Sequence, residues 1–178
     1  MELFTNDLLL KTATADDAEE VARMWEFEKG SISTEAALEA IDYMQNNHRK
    51  NREGYIYHLC FAVFERNGNK IIGWCGLDGM PAEDGRERME IFYMIDKDYR
   101  GRGYATQCAG KLLEYAFETA KISKVFGGCF KDNISSFKVM AKSEMINYKT
   151  RENGDPKFYI DSEIYFKLKA FKENISGG

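Results

Sequence analysis

A chain of 178 residues, 44% hydrophobic and 30% charged, has the make-up of one ordinary globular domain, long enough to bury roughly two thirds of its unfolded surface. Its formal charge of −4, with basic residues scattered rather than clustered, argues against a nucleic-acid-binding protein and leans mildly toward cationic partners. No apolar run approaches the roughly 18 residues of a membrane span, and the N-terminus lacks the basic start and apolar core of a secretory signal, so a cytoplasmic protein without membrane partners is expected.

Leu8 to Ala13 reads as a first strand. Thr14 can cap a helix beginning at Ala15, with Asp16 and Asp17 in the first turn, where the helix dipole favours negative charge. Ala18, Val21, Ala22 and Trp25 form its apolar face, and Gly30 ends it. A second helix starts near Ser33, with Ala37, Leu38, Ile41 and Met44 as its stripe, and fades into a solvated polar run from Asn46 to Arg52. Tyr57 to Glu65 and Lys70 to Leu77 are strand-like on either side of Asn67-Gly68, a strong hairpin signal. Gly73 and Gly76 in the second of these strands mark either close backbone approach or a bulge, or else small packing residues. Met80 to Arg88, polar and holding Pro81 and Gly85, reads as a loop.

The stretch from Met89 to Phe117 organises the chain. Ile91, Phe92, Tyr93, Met94 and Ile95 suit a strand buried on both faces, while Ala105, Cys108, Ala109, Leu112, Ala116 and Phe117 recur at helical spacing. Between them, Gly101 and Gly103 let the backbone bend tightly and approach a ligand closely. The amides that open the following helix have no partner inside it, and its dipole favours negative charge, so the turn reads as a phosphate seat with Arg100 and Arg102 at its rim. Many glycine-containing turns between a strand and a helix bind nothing. A dinucleotide motif fails because position 106 is Thr106, and a Walker loop fails because no G-K-[ST] follows.

Val125 to Phe130 forms a further strand, and Asn133 introduces a short helix carrying Phe137, Met140, Ala141 and Met145. The remainder divides at Asn153-Gly154-Asp155-Pro156 into two strands, the second being the alternating Lys157 to Lys169, with a loose tail from Glu173. Residues 1–172 thus read as one α+β domain, a mixed sheet with helices on both faces. Four cysteines without a C-x-x-C pair read as reduced core thiols, and with only His48 and His58 as imidazoles no metal site is expected.

Arg100-Gly101-Arg102-Gly103-Tyr104-Ala105 fits R-x-x-G-x-[GA] and, in this strand-turn-helix setting, resembles the acetyl-coenzyme A loop of the GNAT superfamily of N-acetyltransferases. The element order is similar along nearly the whole chain. Ile71 to Leu77 resembles the family's third strand, and Asn133 to Met140 its N-x-x-[SA] segment. Glu90-Ile91 and Tyr104-Ala105-Thr106 resemble the branch that includes ribosomal-protein N-terminal acetyltransferases.

The resemblance implies a mostly antiparallel sheet of about seven strands, splayed in the middle. It implies direct transfer of an acetyl group from acetyl-CoA to a primary amine, on a protein N-terminus or a small molecule, without a metal. The amides of Gly101, Arg102, Gly103, Tyr104, Ala105 and Thr106 would hold the pyrophosphate, and the main chain of Tyr93, Met94 and Ile95 would flank the pantetheine arm. Asn133 and Ser136 would contact the coenzyme, Asn133 also reading as a helix cap. Glu90 is the candidate base, since desolvation on an apolar strand makes a carboxylate a better proton acceptor; the alternative is an ion pair with Arg86 or Arg88.

Two positions depart from the family pattern. Met140 stands where many members carry tyrosine, leaving Ser136 or a nearby tyrosine to protonate the thiolate, or an unassisted departure. Glu144 replaces the usual glycine ending that helix. A non-catalytic acyl-CoA-binding sensor or partner module is the competing function, and a longer acyl donor is left open. The first two helices and the loop around residues 80–88 would bind the acceptor, with Tyr43, Tyr55 and Tyr57 either lining its pocket or serving as packing. A homodimer is compatible with the sequence but not demonstrated by it.

Overall fold

In the computed structural model, which describes residues 1–25, 31–81 and 87–176, the chain opens on a short strand, β1 (Glu2–Phe4), antiparallel to β2 (Leu8–Lys11). At three residues β1 is too short to show a period of its own; it is held by pairing, Leu3 opposite Leu10. Thr14 and Asp17 form a capping box over a single 3₁₀ turn, Ala15–Asp17, which leads into α1 (Ala18–Met24). The predicted stop at Gly30 lies outside the described residues. Ser33 caps α2 (Thr34–His48) by accepting the Ala36 amide.

Then come β3 (His58–Glu65), β4 (Gly73–Pro81) and β5 (Glu87–Ile95), successive antiparallel neighbours. The turn at Asn67-Gly68 is wider than a two-residue hairpin. Gly68 N–H donates to the Glu65 carbonyl, but Ile71 is diverted from the ladder: its amide donates to Glu20 Oε2 at 2.9 Å and its carbonyl accepts from Arg23 at 2.8 Å. The expected loop from Met80 to Arg88 is also corrected. Met80↔Arg88 and Pro81↔Glu87 are paired in the β4–β5 ladder, and only 82–86 fall outside the described residues.

After β5 a 3₁₀ turn and the glycine turn lead to α3 (Tyr104–Glu114), which passes into a π turn, Tyr115–Thr119. β6 (Lys124–Gly128), α4 (Ile134–Lys142), β7 (Ile146–Thr150) and β8 (Pro156–Asp161) follow. The last predicted strand, Lys157 to Lys169, is half wrong. It ends at Asp161, whose Oδ1 caps α5 (Ser162–Ser176) by accepting the Ile164 amide at 3.0 Å. Alternation over a short window also fits a helix face. The deciding features were the Asp161 cap and the Glu163–Lys167 pair at i,i+4. α5 carries the chain on through Ser176, past the start of the expected tail.

The sheet order is β1-β2-β3-β4-β5-β6-β8-β7, eight strands rather than about seven, with β5 and β6 the parallel pair. Period-2 alternation along β3 divides the core. Leu59, Phe61 and Val63 face the side where α3 packs, while Cys60, Ala62 and Phe64 meet α1 and α2. Cys60, Cys75 and Cys108 are buried and Cys129 half-buried, all as free thiols.

Glu144 ends α4 in the left-handed region, at φ 60°, and the amides of Glu144 and Met145 return to the carbonyls of Ala141 and Met140. That is a Schellman ending, whose left-handed position glycine occupies without strain. Glu144→Gly is therefore expected to stabilise the fold by about 1 kcal/mol and raise Tm by about 2–4 °C in a thermal melt. The exposed Lys172–Glu144 pair lost in the exchange contributes little.

Candidate active site

β5 and β6 are joined at only two positions, Met89↔Val125 and Glu90↔Phe126, and then part. Each is held straight by its other neighbour: β5 by β4 as far as Gly73↔Ile95, and β6 by β8 as far as Gly128↔Lys157. Asp96 N–H donates to Ile72 C=O at 2.9 Å, and Gly79 N–H donates to Tyr57 C=O at 3.0 Å, which sets the phase of the antiparallel ladders. In that phase the main-chain groups of Phe92 and Met94 face β4, whereas those of Tyr93 and Ile95 face the gap. The expectation for Met94 therefore fails, because its main chain is used within the sheet. The Ile95 carbonyl accepts Arg100 Nε at 2.8 Å, which leaves its amide on the open edge.

The gap forms a cleft of about 400 Å³ lined by Glu90, Tyr93, Cys129, Asn133, Ser136 and Met140, among others. Tyr93 and Ser136 hydroxyls lie 2.9 Å apart, and burial pushes the Tyr93 pKa up to about 12, so the phenol is protonated at neutral pH. Asn133 is the cap of α4, its Oδ1 accepting the Ser136 amide at 3.0 Å at the cleft edge. Met140 is 2% exposed and brings no hydroxyl. Glu90 lies in the cleft but is not the desolvated carboxylate expected, since its side chain is 37% exposed. Its neighbour is Lys157, with Nζ 3.9 Å away. Arg88 lies over the Phe126 ring, and Arg86 is outside the described residues.

Where β5 ends, Gly101 and Gly103 take φ of 79° and 81°, values that L side chains adopt only at a cost. Among the described residues, no hydrogen bond engages the amides of Gly101, Arg102, Gly103, Tyr104, Ala105 or Thr106; Gln107 is the first to find a partner, the Gly103 carbonyl. A cavity of about 240 Å³ lies against this turn, bounded by Arg100, Gly101 and Gly103 on one side and Ser135, Lys138 and Lys142 of α4 on the other. The two lysines, which sequence reasoning missed, stand four residues apart on one helix face. Arg102 does not join them: its guanidinium is 3.4 Å from Glu65 and lies over Tyr99. The Tyr104 hydroxyl likewise donates to Glu65, so what this residue offers the turn is its amide.

On the other face of β5, Phe92 stacks on His58, and His58 on His48. His48 Nε2 accepts the Cys60 amide, and burial, with His58 alongside, pushes its pKa down to about 4. A histidine in an unfolded chain takes up its proton near pH 6.5, so this group's contribution to stability is complete above about that pH and is lost as pH falls toward 4. Melting curves between pH 7 and 4 are expected to fall less steeply for His48→Gln, whose amide oxygen can still accept from Cys60. Among the described residues no helix is long and apolar enough to cross a membrane, and no group of His, Cys, Asp or Glu is arranged to hold a metal ion.

Comparison with known proteins bears on this geometry. YjdG, an uncharacterized N-acetyltransferase of Bacillus subtilis (strain 168), is 28% identical over 159 residues, covering 85% of this chain and 90% of that protein. The solved ribosomal-protein-S5-alanine acetyltransferase of Vibrio fischeri matches with a TM-score of 0.73 at 15% identity, over 91% of this chain and 97% of that one. RimL, a ribosomal L7/L12 α-N-protein acetyltransferase solved with coenzyme A, matches with a TM-score of 0.69 at 15% identity, over 92% and 99%. At such identities the two structures speak for the fold alone. The model of the acetyltransferase (GNAT) domain family matches residues 7–146. With that match spanning the parted strands and the glycine turn alike, the chain belongs to the GNAT acetyltransferase family.

Proposed function

We propose that the protein transfers an acetyl group from acetyl-CoA to a primary amine by direct attack on the thioester. The observation that carries this reading is the run of unpartnered amides from Gly101 to Thr106 at one end of the gap between β5 and β6. Those amides and the dipole of α3 suit a diphosphate, with Arg100, Lys138 and Lys142 supplying charge around it. The Tyr93 main chain and the Ile95 amide would accept the pantetheine arm in place of a neighbouring strand, and a main-chain amide there would polarise the thioester carbonyl.

The acceptor must attack as a neutral amine. Glu90, exposed enough to be reached through water, would take the ammonium proton. The nitrogen then forms its bond to the carbonyl carbon while the carbon–sulphur bond breaks. The product nitrogen sheds one proton and the departing thiolate gains one. Tyr93, paired with Ser136, would donate a hydrogen bond to the sulphur. With its pKa pushed up to about 12, against roughly 8.5 for a thiol, full proton transfer from it is uphill, and solvent completes the step.

Met140, which removes a hydroxyl from the cleft, favours a second reading: a module that binds acyl-CoA without turnover. Thiol release from acetyl-CoA, followed across N-terminal peptides, polyamines and aminoglycosides, separates the two. Amine-dependent release with an acetylated product is the expected result. Coenzyme binding without any turnover would favour the module, and failure to bind coenzyme would remove both readings.

A further inference from the structure

A third cavity, of about 460 Å³, opens on the α1–α2 face, lined by Tyr43, Asn47, Tyr55, Tyr57, His58 and Asp78. It adjoins the cleft through one register pair. Asp78, which lines the cavity, stands opposite Glu90, which lines the cleft. Directly opposed side chains share a face, with Cβ atoms roughly 5 Å apart. Phe92 joins the two spaces as well, lining the cleft while stacked on His58 with ring centres 6.2 Å apart.

The cavity wall carries polar groups of both senses. Near β5, Asp78 offers a carboxylate fixed by His58, Nδ1 to Oδ1 at 3.2 Å. From α2, Asn47, only 3% exposed as a residue, accepts Lys50 Nζ on Oδ1 at 2.9 Å, while its Nδ2 has no hydrogen-bond partner among the described residues. Asn47 lines the cavity, so this donor is available to a ligand there. Two cations stand over tyrosines of that wall: Lys50 Nζ lies 4.4 Å from the Tyr57 ring centre and the Arg52 guanidinium 4.3 Å from that of Tyr55. Asn51 fixes the wall by bonding the Tyr57 amide and both main-chain groups of His58.

We propose that this cavity seats the acceptor, and that the acceptor is an amino-acid-like molecule. Its amine lies at Asp78, beside Glu90 and the cleft. Its carboxylate meets Asn47 Nδ2 between Lys50 and Arg52, and its apolar part lies among the three tyrosines. This rests on the transferase reading above and supplies the substrate class that reading leaves open.

The test is calorimetric titration of phenylalanine, phenylalanine amide and phenylethylamine into the free protein and into its coenzyme A complex. Phenylalanine is expected to bind at least tenfold more tightly than either analogue. The exposed double variant Lys50→Glu/Arg52→Glu should abolish that preference, and Asp78→Asn should weaken all three amines alike. Equal affinities, a preference that survives charge reversal, or no binding to either form would overturn the proposal. Since the titration needs no turnover, it is separable from the transferase reading, which falls if coenzyme A does not bind or no amine is acetylated; bound phenylalanine that stays unacetylated while other amines react would overturn the acceptor assignment alone.

Discussion

Gly103→Val is expected to weaken coenzyme A binding at least tenfold while leaving the fold in place. At φ 81° an L residue pays roughly 1–2 kcal/mol, and a β-branched one more. No heavy atom lies within 4 Å of where a Cβ would stand, so the cause is backbone strain and not collision. The chain relieves that strain by rotating the peptides on either side, which turns the Gly103 and Tyr104 amides away from a shared target. Each hydrogen bond to a charged group is worth about 1.5–3 kcal/mol, so losing one is enough for a tenfold change. Calorimetric titration of coenzyme A reads the loss directly. Arg102→Ala is the matched control and should stay within about twofold of wild type, because that guanidinium is turned toward Glu65. Unchanged affinity in Gly103→Val would remove the basis for a diphosphate seat.

Gly76→Ala is expected to be the most damaging single-methyl change in the sheet. Its φ is ordinary, so the effect is one of space. A Cβ there would lie 1.9 Å from the Leu59 carbonyl oxygen and 2.5 Å from Cζ of Phe92. A main-chain oxygen held in a central ladder cannot swing aside, and overpacking of this kind costs about 3 kcal/mol or more, a fall in Tm of about 10 °C. Gly110→Ala makes the contrast. That glycine is exposed in the middle of α3 with nothing within 4 Å, and alanine should stabilise by about 0.5–1 kcal/mol. A thermal melt of Gly76→Ala within 2 °C of wild type would contradict the close packing of Phe92 across Gly76.

Of the two readings of Gly76, small packing residue or close approach, the structure selects the second, and only the register against Leu59 and Phe92 could decide it. Arg102 shows the same limit from the other side. Its place in the motif suggests a phosphate contact, but the direction of its side chain depends on Glu65, 37 residues earlier in the chain. The lysines of α4 were legible as a face of a helix but not as a wall of the phosphate cavity, because nothing local says that α4 lies across from the glycine turn.

What the residues determine by themselves is local. The glycines at 101 and 103 permit the left-handed turn, the run from Ile91 to Ile95 makes a strand, buried at Ile91 and Ile95 but not, as expected, throughout, since Met94 is 41% exposed beside the parted edge, and helical spacing from Ala105 makes the helix whose first amides are open. The family resemblance followed from those same neighbours in sequence. Tertiary structure decided which main-chain groups of β5 face the gap, how far Glu90 is exposed, and that Asp78 stands beside it. Ladder phase and the meeting of distant strands are set by pairings between segments far apart in the chain, and no pattern within one segment records them.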